Sequence, residues 1–193
     1  IFRNEGIDSS HSAEFTMLEA YEAWGDQKSI ADLNQRMIVN AADAALGTRV
    51  LDTPAGEIDL DGEWAWKPVY PTLSEALGVE ITPETDASVL LRIAAERGVE
   101  HDPAWPAQKL VMELFGELVE PSLLQPTFVC DYPPIAQPLA RPHRSDPNLI
   151  EAWDLIIGGV ERGTGFSELI DPVIQRERLV AQSLKAAAGD PEA

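Results

Sequence analysis

Residues 149–171 read LIEAWDLIIGGVERGTGFSELID, and the Gly158-Gly159 pair between two apolar runs constrains this chain more than any other feature. Glycine accepts the positive φ that both central positions of a two-residue hairpin require, so the flanking runs are expected to pair antiparallel. That places Ile157 opposite Val160 and Ile156 opposite Glu161, and makes Asp154 a diagonal neighbour of Glu161 on the same face. Two carboxylates that close repel unless a cation or a shared proton lies between them. Oxygen-only ligands suit Mg2+; a solvated sheet face is the alternative reading. Glu168 follows Phe166 and Ser167 among apolar or small neighbours, where a buried carboxylate needs a cationic partner. Arg162 and Arg176 are the candidates for an ordinary salt bridge.

The rest of the chain supplies what such a hairpin packs against. In SIADLNQRMIVNAADAALG, residues Ile30, Leu33, Met37, Ile38, Ala41 and Ala45 recur at helical spacing, with Ser29 suited to the N-cap and Gly47 to the stop. Short strand signals follow in RVLDT, EIDL and EWAWKPVY, separated by Pro54, Gly56 and Gly62. Trp64 and Trp66, two apart, share a face and read as core. Residues 72–123 read as a helical block, in which AWPAQKLVMELFGELVE carries Leu110, Val111, Leu114, Phe115, Leu118 and Val119 as an apolar stripe. The block looks like an insertion or a subdomain. Strands resume at PTFVCDYP, and Asp171-Pro172 opens a last helix. Strands in separate blocks, with helices grouped between and after them, predict an α+β fold on an antiparallel sheet.

The 193 residues suffice for one sizeable core or a large piece of a bigger one. A formal charge of −19, from 33 acidic and 14 basic residues, disfavours nucleic-acid binding through this segment alone and favours cationic ligands. The single cysteine, Cys130, excludes an internal disulfide and a multi-cysteine metal site, and reads as a small apolar strand residue. No run approaches the roughly 18 apolar residues of a membrane span, and none reads as a signal peptide. Beginning on Ile1 with a strand-like segment, the sequence reads as an internal piece of a longer chain.

That first segment, FRNEGIDSSHSAEFTMLEAYEAW, places Arg3, Asn4 and Glu5 ahead of a loop and then alternates by twos. Phe15, Met17, Glu19 and Tyr21 fall on one face of the expected strand, with Glu14, Thr16, Leu18, Ala20 and Glu22 on the other.

FRNEG followed by H--EFTMLE-Y resembles motif 2 of the class II lysyl-tRNA synthetases. PLA and WDLIIGGVERGTGFSELIDP resemble the sheet before that family's third motif. The likeness covers nearly the whole chain and is weakest over residues 25–123. The later part also looks like the synthetase half of two-function actinobacterial proteins that charge lysine and pass it to a phospholipid. The resemblance implies a class II synthetase sheet with flanking helices, residues 1–193 forming part of the catalytic domain and 72–123 a helical insertion within it. It implies lysine activation with ATP to lysyl adenylate, Mg2+ as cofactor, and transfer to tRNA, with the main tRNA contacts outside this segment. By the same resemblance, Arg3 contacts the ATP α-phosphate and the lysine carboxylate, Glu5 the adenine amino group, and His11 the terminal phosphates. Phe15 stacks on adenine. Glu19, Tyr21, Thr164 and Glu168 match the lysine pocket, Tyr21 and Glu168 holding the ammonium, and Asp154 and Glu161 match the Mg2+ carboxylates. From the residues alone, His11 also reads as a loop histidine and Phe15 as a core aromatic.

The chain departs from the family pattern at Ser12-Ala13, where Asn-Pro is usual, and at Gln137, where serine is usual. Thr164 replaces a common asparagine, and Asp154 a longer glutamate. Thr164 and Glu168 lie off the Asp154/Glu161 face in a simple hairpin, so either Gly163 and Gly165 bend the strand or the register differs. The third motif, the first motif with its dimer interface, and the anticodon-binding barrel find no match in these residues, so the segment alone is expected to be inactive and a homodimer is expected of the full-length protein. A cytoplasmic enzyme is implied, membrane-associated only for the two-function type. A non-catalytic lysine- or nucleotide-binding paralogue is the alternative.

Overall fold

In the computed structural model, which describes residues 1–3 and 12–187 (backbone alone for the last three), the diglycine hairpin forms the edge of a central sheet. Glu5 and His11 lie outside the described residues. Strands β5 (Ala152–Ile157) and β6 (Val160–Phe166) pair antiparallel across Gly158 and Gly159, whose φ values of 68° and 71° fit the expected turn. Ile157 faces Val160 and Ile156 faces Glu161, as the spacing predicts. Beyond that the ladder slips by one residue, because Leu155 pairs with Gly163 and Asp154 with Thr164. Arg162 is the extra residue of a β-bulge, its Nε turned back to the Ile157 carbonyl at 3.4 Å. The simple register therefore fails after two pairs, and the bulge places Thr164 directly across from Asp154.

The sheet has the order β3-β4-β5-β6, with β3 at Ala65–Pro68 and β4 at Thr127–Cys130. It is mixed rather than wholly antiparallel. β3 and β4 run parallel because the chain between them crosses over through the helical block, whereas β4 with β5 and β5 with β6 are antiparallel. The fold is α+β, as expected. The EWAWKPVY strand ends at Pro68, and Val69 and Tyr70 instead open α2 (Val69–Leu77). Helices α3 (Ala87–Arg97) and α4 (Ala107–Leu118) follow, and a turn of 3-10 helix at Glu120–Ser122 leads back to the sheet. The α4 stripe is buried at Leu110, Val111, Leu114 and Phe115, and shares one core with Val129, Ala152 and Ile156 from the sheet.

The opposite face of the sheet carries Phe128, Cys130, Trp153, Leu155 and Ile157, covered by α1 (Gln27–Leu46) and the small hairpin of β1 (Val50–Thr53) and β2 (Gly56–Asp59). Trp64 is 3% exposed and, with the partly buried Trp66, packs on Phe128, as the core reading anticipated. The N-cap of α1 is Asp26, not Ser29. Asp26 accepts from the Lys28 and Ser29 backbone N–H groups, while the Ser29 hydroxyl accepts from the Asp26 N–H, which makes a capping box. A carboxylate also answers the positive end of the helix dipole better than a hydroxyl does. Gly47, at φ 67°, ends the helix as expected. The last helix, α5 (Pro172–Ala187), is capped by the Asp171 carboxylate on the Val173 and Ile174 N–H groups.

The expected strand over residues 14–22 does not form. One bridge, Phe2 with Glu14, joins the opening residues, and no ladder continues from it among the described residues.

Trp153 locks α1 to the sheet. Its indole N–H donates to the Gln27 carbonyl at 2.7 Å, and its ring lies over Gly165, its partner on β6. A methyl group at Gly165 would overlap that ring, whereas at Gly163 the nearest atom is the Asn34 Nδ2 at an ordinary 3.6 Å. Gly165→Ala in the natural full-length protein should therefore cost about 1–3 kcal/mol, typical of overpacking. Thermal melting should show a Tm drop of at least about 3 °C, with Gly163→Ala nearly silent. Equal Tm values for the two variants would contradict this packing.

Candidate active site

The residues singled out by the sequence fall into three groups. In the first, the Arg3 N–H donates to the Ala13 carbonyl and the Phe15 N–H to the Ile1 carbonyl, so the two arms of the opening segment run side by side. The Arg3 guanidinium consequently lies 6.0 Å from the Phe15 ring centroid, with an Nη 4.0 Å from the Met17 sulfur. Phe15 is half-buried and belongs to neither core, so the core-aromatic reading does not hold. Although the strand is missing, the alternation survives, since side chains two apart still meet.

In the second group the Tyr21 hydroxyl donates to Glu19 at 2.9 Å. Tyr21 is held above the usual phenol range, first by that hydrogen bond and the Glu19 charge, and also by the charge of Glu168. Residues 147 positions apart in the chain thus bring two carboxylates and a phenol into one electrostatic neighbourhood. Glu168 is exposed rather than buried. It is placed by a backbone bridge to Ala140, and its carbonyl accepts from Arg141 Nε at 3.2 Å. The Arg178 guanidinium fixes the same stretch by donating to the Pro138 and Ala140 carbonyls, and the Ala140 N–H closes a turn on the Gln137 carbonyl. Neither Arg162 nor Arg176 pairs with Glu168 among the described residues, because Arg162 is committed to the bulge.

The third group sits on the sheet face that bears the α4 core. Asp154 is half-buried, and burial pushes its carboxyl above the usual range, opposed by the Thr164 and Tyr132 hydroxyls. Thr164 Oγ1 also lies 3.3 Å from the Trp153 carbonyl. Glu161 is exposed at the rim, and its charge is felt by the Tyr132 hydroxyl together with those of Asp154 and Glu120. Burial and the Asp154 charge raise the Glu120 carboxyl as well. Thr164 is therefore placed directly across from Asp154. Among the described residues no set of three acidic, His or Cys side chains is arranged to hold a metal ion. The oxygen donors and the shared face still suit Mg2+, which uses one or two carboxylates and takes its remaining ligands from phosphate and water.

Sequence reasoning passed over Tyr132 and Glu120. Their signals were the phenol in CDYP, just past a buried strand, and the acid that ends the apolar stripe of α4. It also passed over Glu151, 2% exposed, whose Oε1 accepts from Arg144 Nε at 2.7 Å. Arg144 reaches on to Asp26 at 3.0 Å, so one guanidinium joins β5's approach to the α1 cap. The backbone hydrogen bond from Ser29 first, and then Arg144 and the Lys28 N–H, hold the Asp26 carboxyl below its usual range. Cys130 is buried, with its thiol pushed up to about 12 by burial first, which makes it an inert core residue as expected. No helix among the described residues is long and apolar enough to cross a membrane.

A family model for tRNA synthetases class II (D, K and N) matches residues 1–192. Lysine–tRNA ligase of Kineococcus radiotolerans is 50% identical over 194 residues, covering 100% of this chain and 39% of that protein. The lysine–tRNA ligase of Mycobacterium bovis BCG is 50% identical over 200 residues, covering 100% of this chain and 40% of the relative. The lysylphosphatidylglycerol biosynthesis bifunctional protein LysX of Mycobacterium marinum is 49% identical over 197 residues, again covering 100% of this chain but 18% of LysX. The chain thus spans about two fifths of the lysine–tRNA ligases it matches. With the match running almost end to end, this chain belongs to the class II tRNA synthetase family of the D, K and N type.

Proposed function

We propose that residues 1–193 are part of the catalytic domain of a lysine–tRNA ligase, with residues 72–123 as a helical insertion. The observation that carries the reading is the convergence of Glu19, Tyr21 and Glu168. An exposed phenol under the influence of two carboxylates is a receptor for an ammonium group, which donates hydrogen bonds to the acids and offsets part of their charge. The lysine–tRNA ligases at 50% identity over the whole chain point the same way.

In this reading the lysine carboxylate attacks the α-phosphorus of ATP in line, the new O–P bond forms, and pyrophosphate leaves. The 3′-terminal hydroxyl of tRNA then attacks the lysyl carbonyl carbon, the acyl–phosphate C–O bond breaks, and AMP leaves. Positioning and charge neutralisation carry the reaction, with no covalent enzyme intermediate. Arg3 spans the α-phosphate and the lysine carboxylate with its planar fork. Phe15, beside Arg3, stacks on adenine, with Glu5 and His11 serving the adenine amino group and the terminal phosphates. Glu19, Tyr21 and Glu168 hold the lysine side chain, and Thr164, across from Asp154, serves the lysine from β6 as the family likeness implies. Asp154 and Glu161 hold Mg2+, which when bound draws negative charge off the phosphate oxygens. The partners are lysine, ATP and tRNA, and the working unit is a cytoplasmic homodimer. The similarity to LysX favours a second form of the same reading, in which the lysyl-tRNA feeds phospholipid lysylation and the whole protein is membrane-associated.

Glu168→Gln in the natural full-length protein tests the pocket. Removing one charged partner weakens the hold on the ammonium, so kcat/KM for lysine in ATP–pyrophosphate exchange should fall at least about tenfold with ATP affinity nearly unchanged. Near-normal lysine activation would sink the assignment, and no lysine-dependent exchange in the unaltered protein would favour a non-catalytic paralogue. Calorimetry tests the cation ligands separately. Mg2+ should bind far more tightly with ATP present than without it, because two carboxylates alone make a weak site. The Asp154→Asn, Glu161→Gln double variant should abolish the difference; equal affinity with and without ATP would refute the role.

A further inference from the structure

Tyr132 is turned the wrong way for its place in the chain. It lies two residues beyond the end of β4, where Val129 pairs with Asp154 and Cys130 with Trp153. Regular alternation would carry Tyr132 to the Cys130 and Trp153 face of the sheet, among the α1 core. Instead it packs with Val129, Ala152 and Ile156 on the opposite face. The cause is Asp131, a non-glycine residue with φ 58°, in the left-handed region that breaks the pleat and turns Tyr132 to the other face. Such a conformation is uncommon outside glycine, although Asp adopts it more readily than most residues, and it persists only where the surroundings impose it. Here the Tyr132 carbonyl accepts from the Ile150 N–H at 2.9 Å, which holds the inverted residue against β5.

The result is a phenol that is 1% exposed and whose hydroxyl closes no hydrogen bond. Leaving a buried hydroxyl unpaired is costly, so one that is buried on purpose points to a partner completed in the working state. Asp154, paired with Val129, lies on the same face of the sheet as Tyr132, and of the three acids whose charge reaches the hydroxyl, Asp154, Glu120 and Glu161, it acts most strongly. The Thr164 hydroxyl approaches Asp154 from β6. Asp154 is one carbon shorter than a glutamate, so its carboxylate has less reach toward a cation and depends more on being held at the right angle.

We propose that Tyr132 is a positioning residue for the cation site: its buried hydroxyl donates to one oxygen of Asp154 and leaves the other oxygen for Mg2+ on the nucleotide phosphates. The inference rests on the reading of Asp154 and Glu161 as cation ligands. Groups that orient a metal ligand in this way commonly change affinity about 10–100-fold when removed.

The test is calorimetric titration of Mg2+ into the natural full-length protein holding a non-hydrolysable ATP analogue, for the unaltered protein and for Tyr132→Phe, Asp154→Asn and the double variant. Tyr132→Phe keeps the packing and removes one oxygen, and taking away an unpaired buried hydroxyl should leave Tm equal or higher without ligand. Mg2+ affinity should nonetheless fall about tenfold. The double variant should lose no more than Asp154→Asn alone, because the phenol acts through that carboxylate. Analogue affinity measured without Mg2+ should not move. Mg2+ affinity within twofold of the unaltered protein in Tyr132→Phe, with Asp154→Asn still impaired, overturns the inference alone. Normal Mg2+ affinity in Asp154→Asn overturns the cation-ligand reading and the inference with it.

Discussion

The bulge at Arg162 is the constraint on which the candidate site depends. A side-chain period of two means that one inserted residue moves everything after it to the other face. In an unbroken ladder Gly163 would oppose Asp154, and Thr164 would point into the α1 core. With the slip, Thr164 opposes Asp154 and Gly165 opposes Trp153, which is the one place on β6 where a side chain could not fit. A second inversion, at Asp131, does for Tyr132 what the bulge does for Thr164. The bulge brings Thr164 across from Asp154, and the inversion brings Tyr132 to the same face of the sheet.

The opposite face of the sheet keeps that arrangement rigid. Trp153 holds the start of α1 through the Gln27 carbonyl, the Ser167 hydroxyl accepts from the Gln27 N–H at 3.0 Å, and Arg144 bridges the buried Glu151 to the cap at Asp26. Asp26 follows closely after Tyr21, so these contacts also fix where the opening segment leaves the body of the protein. Glu168 follows directly on Ser167. The two segments that carry Tyr21 and Glu168 are thus both tied down near Gln27, through Trp153 and Ser167. At the far end of the hairpin, the Gly158 and Gly159 N–H groups donate to the Leu124 and Leu123 carbonyls, which ties the helical block to the same strands.

Much of this was legible in the sequence. The diglycine fixed the turn and the first two pairs, the apolar stripe of α4 gave its buried face, and Gly47 gave the end of α1. The family likeness rested on quoted motifs, and the match over residues 1–192 bears it out. What escaped was whatever depends on contacts across the fold. A bulge leaves no local mark, because Arg162 is unremarkable until its strand is asked to pass Trp153. The left-handed Asp131 is equally silent, since aspartate adopts ordinary φ values almost everywhere. The parallel pairing of β3 with β4 follows from the crossover through α2 to α4, which helical periodicity reveals only as three helices in a row. The alternation of residues 14–22 anticipates the meeting of Glu19 with Tyr21, but not as part of a strand, because pairing needs a neighbour that pattern alone cannot supply.

The most direct measurement of the account is an experimental structure of the natural full-length protein with lysine and a non-hydrolysable ATP analogue bound in Mg2+. The account predicts the lysine ammonium within hydrogen-bonding distance of Tyr21 and Glu168, and Mg2+ bridging phosphate oxygens to Asp154 and Glu161, with the Arg162 bulge retained. Lysine bound away from Glu168, or a regular β5–β6 ladder with Thr164 turned from Asp154, would contradict it.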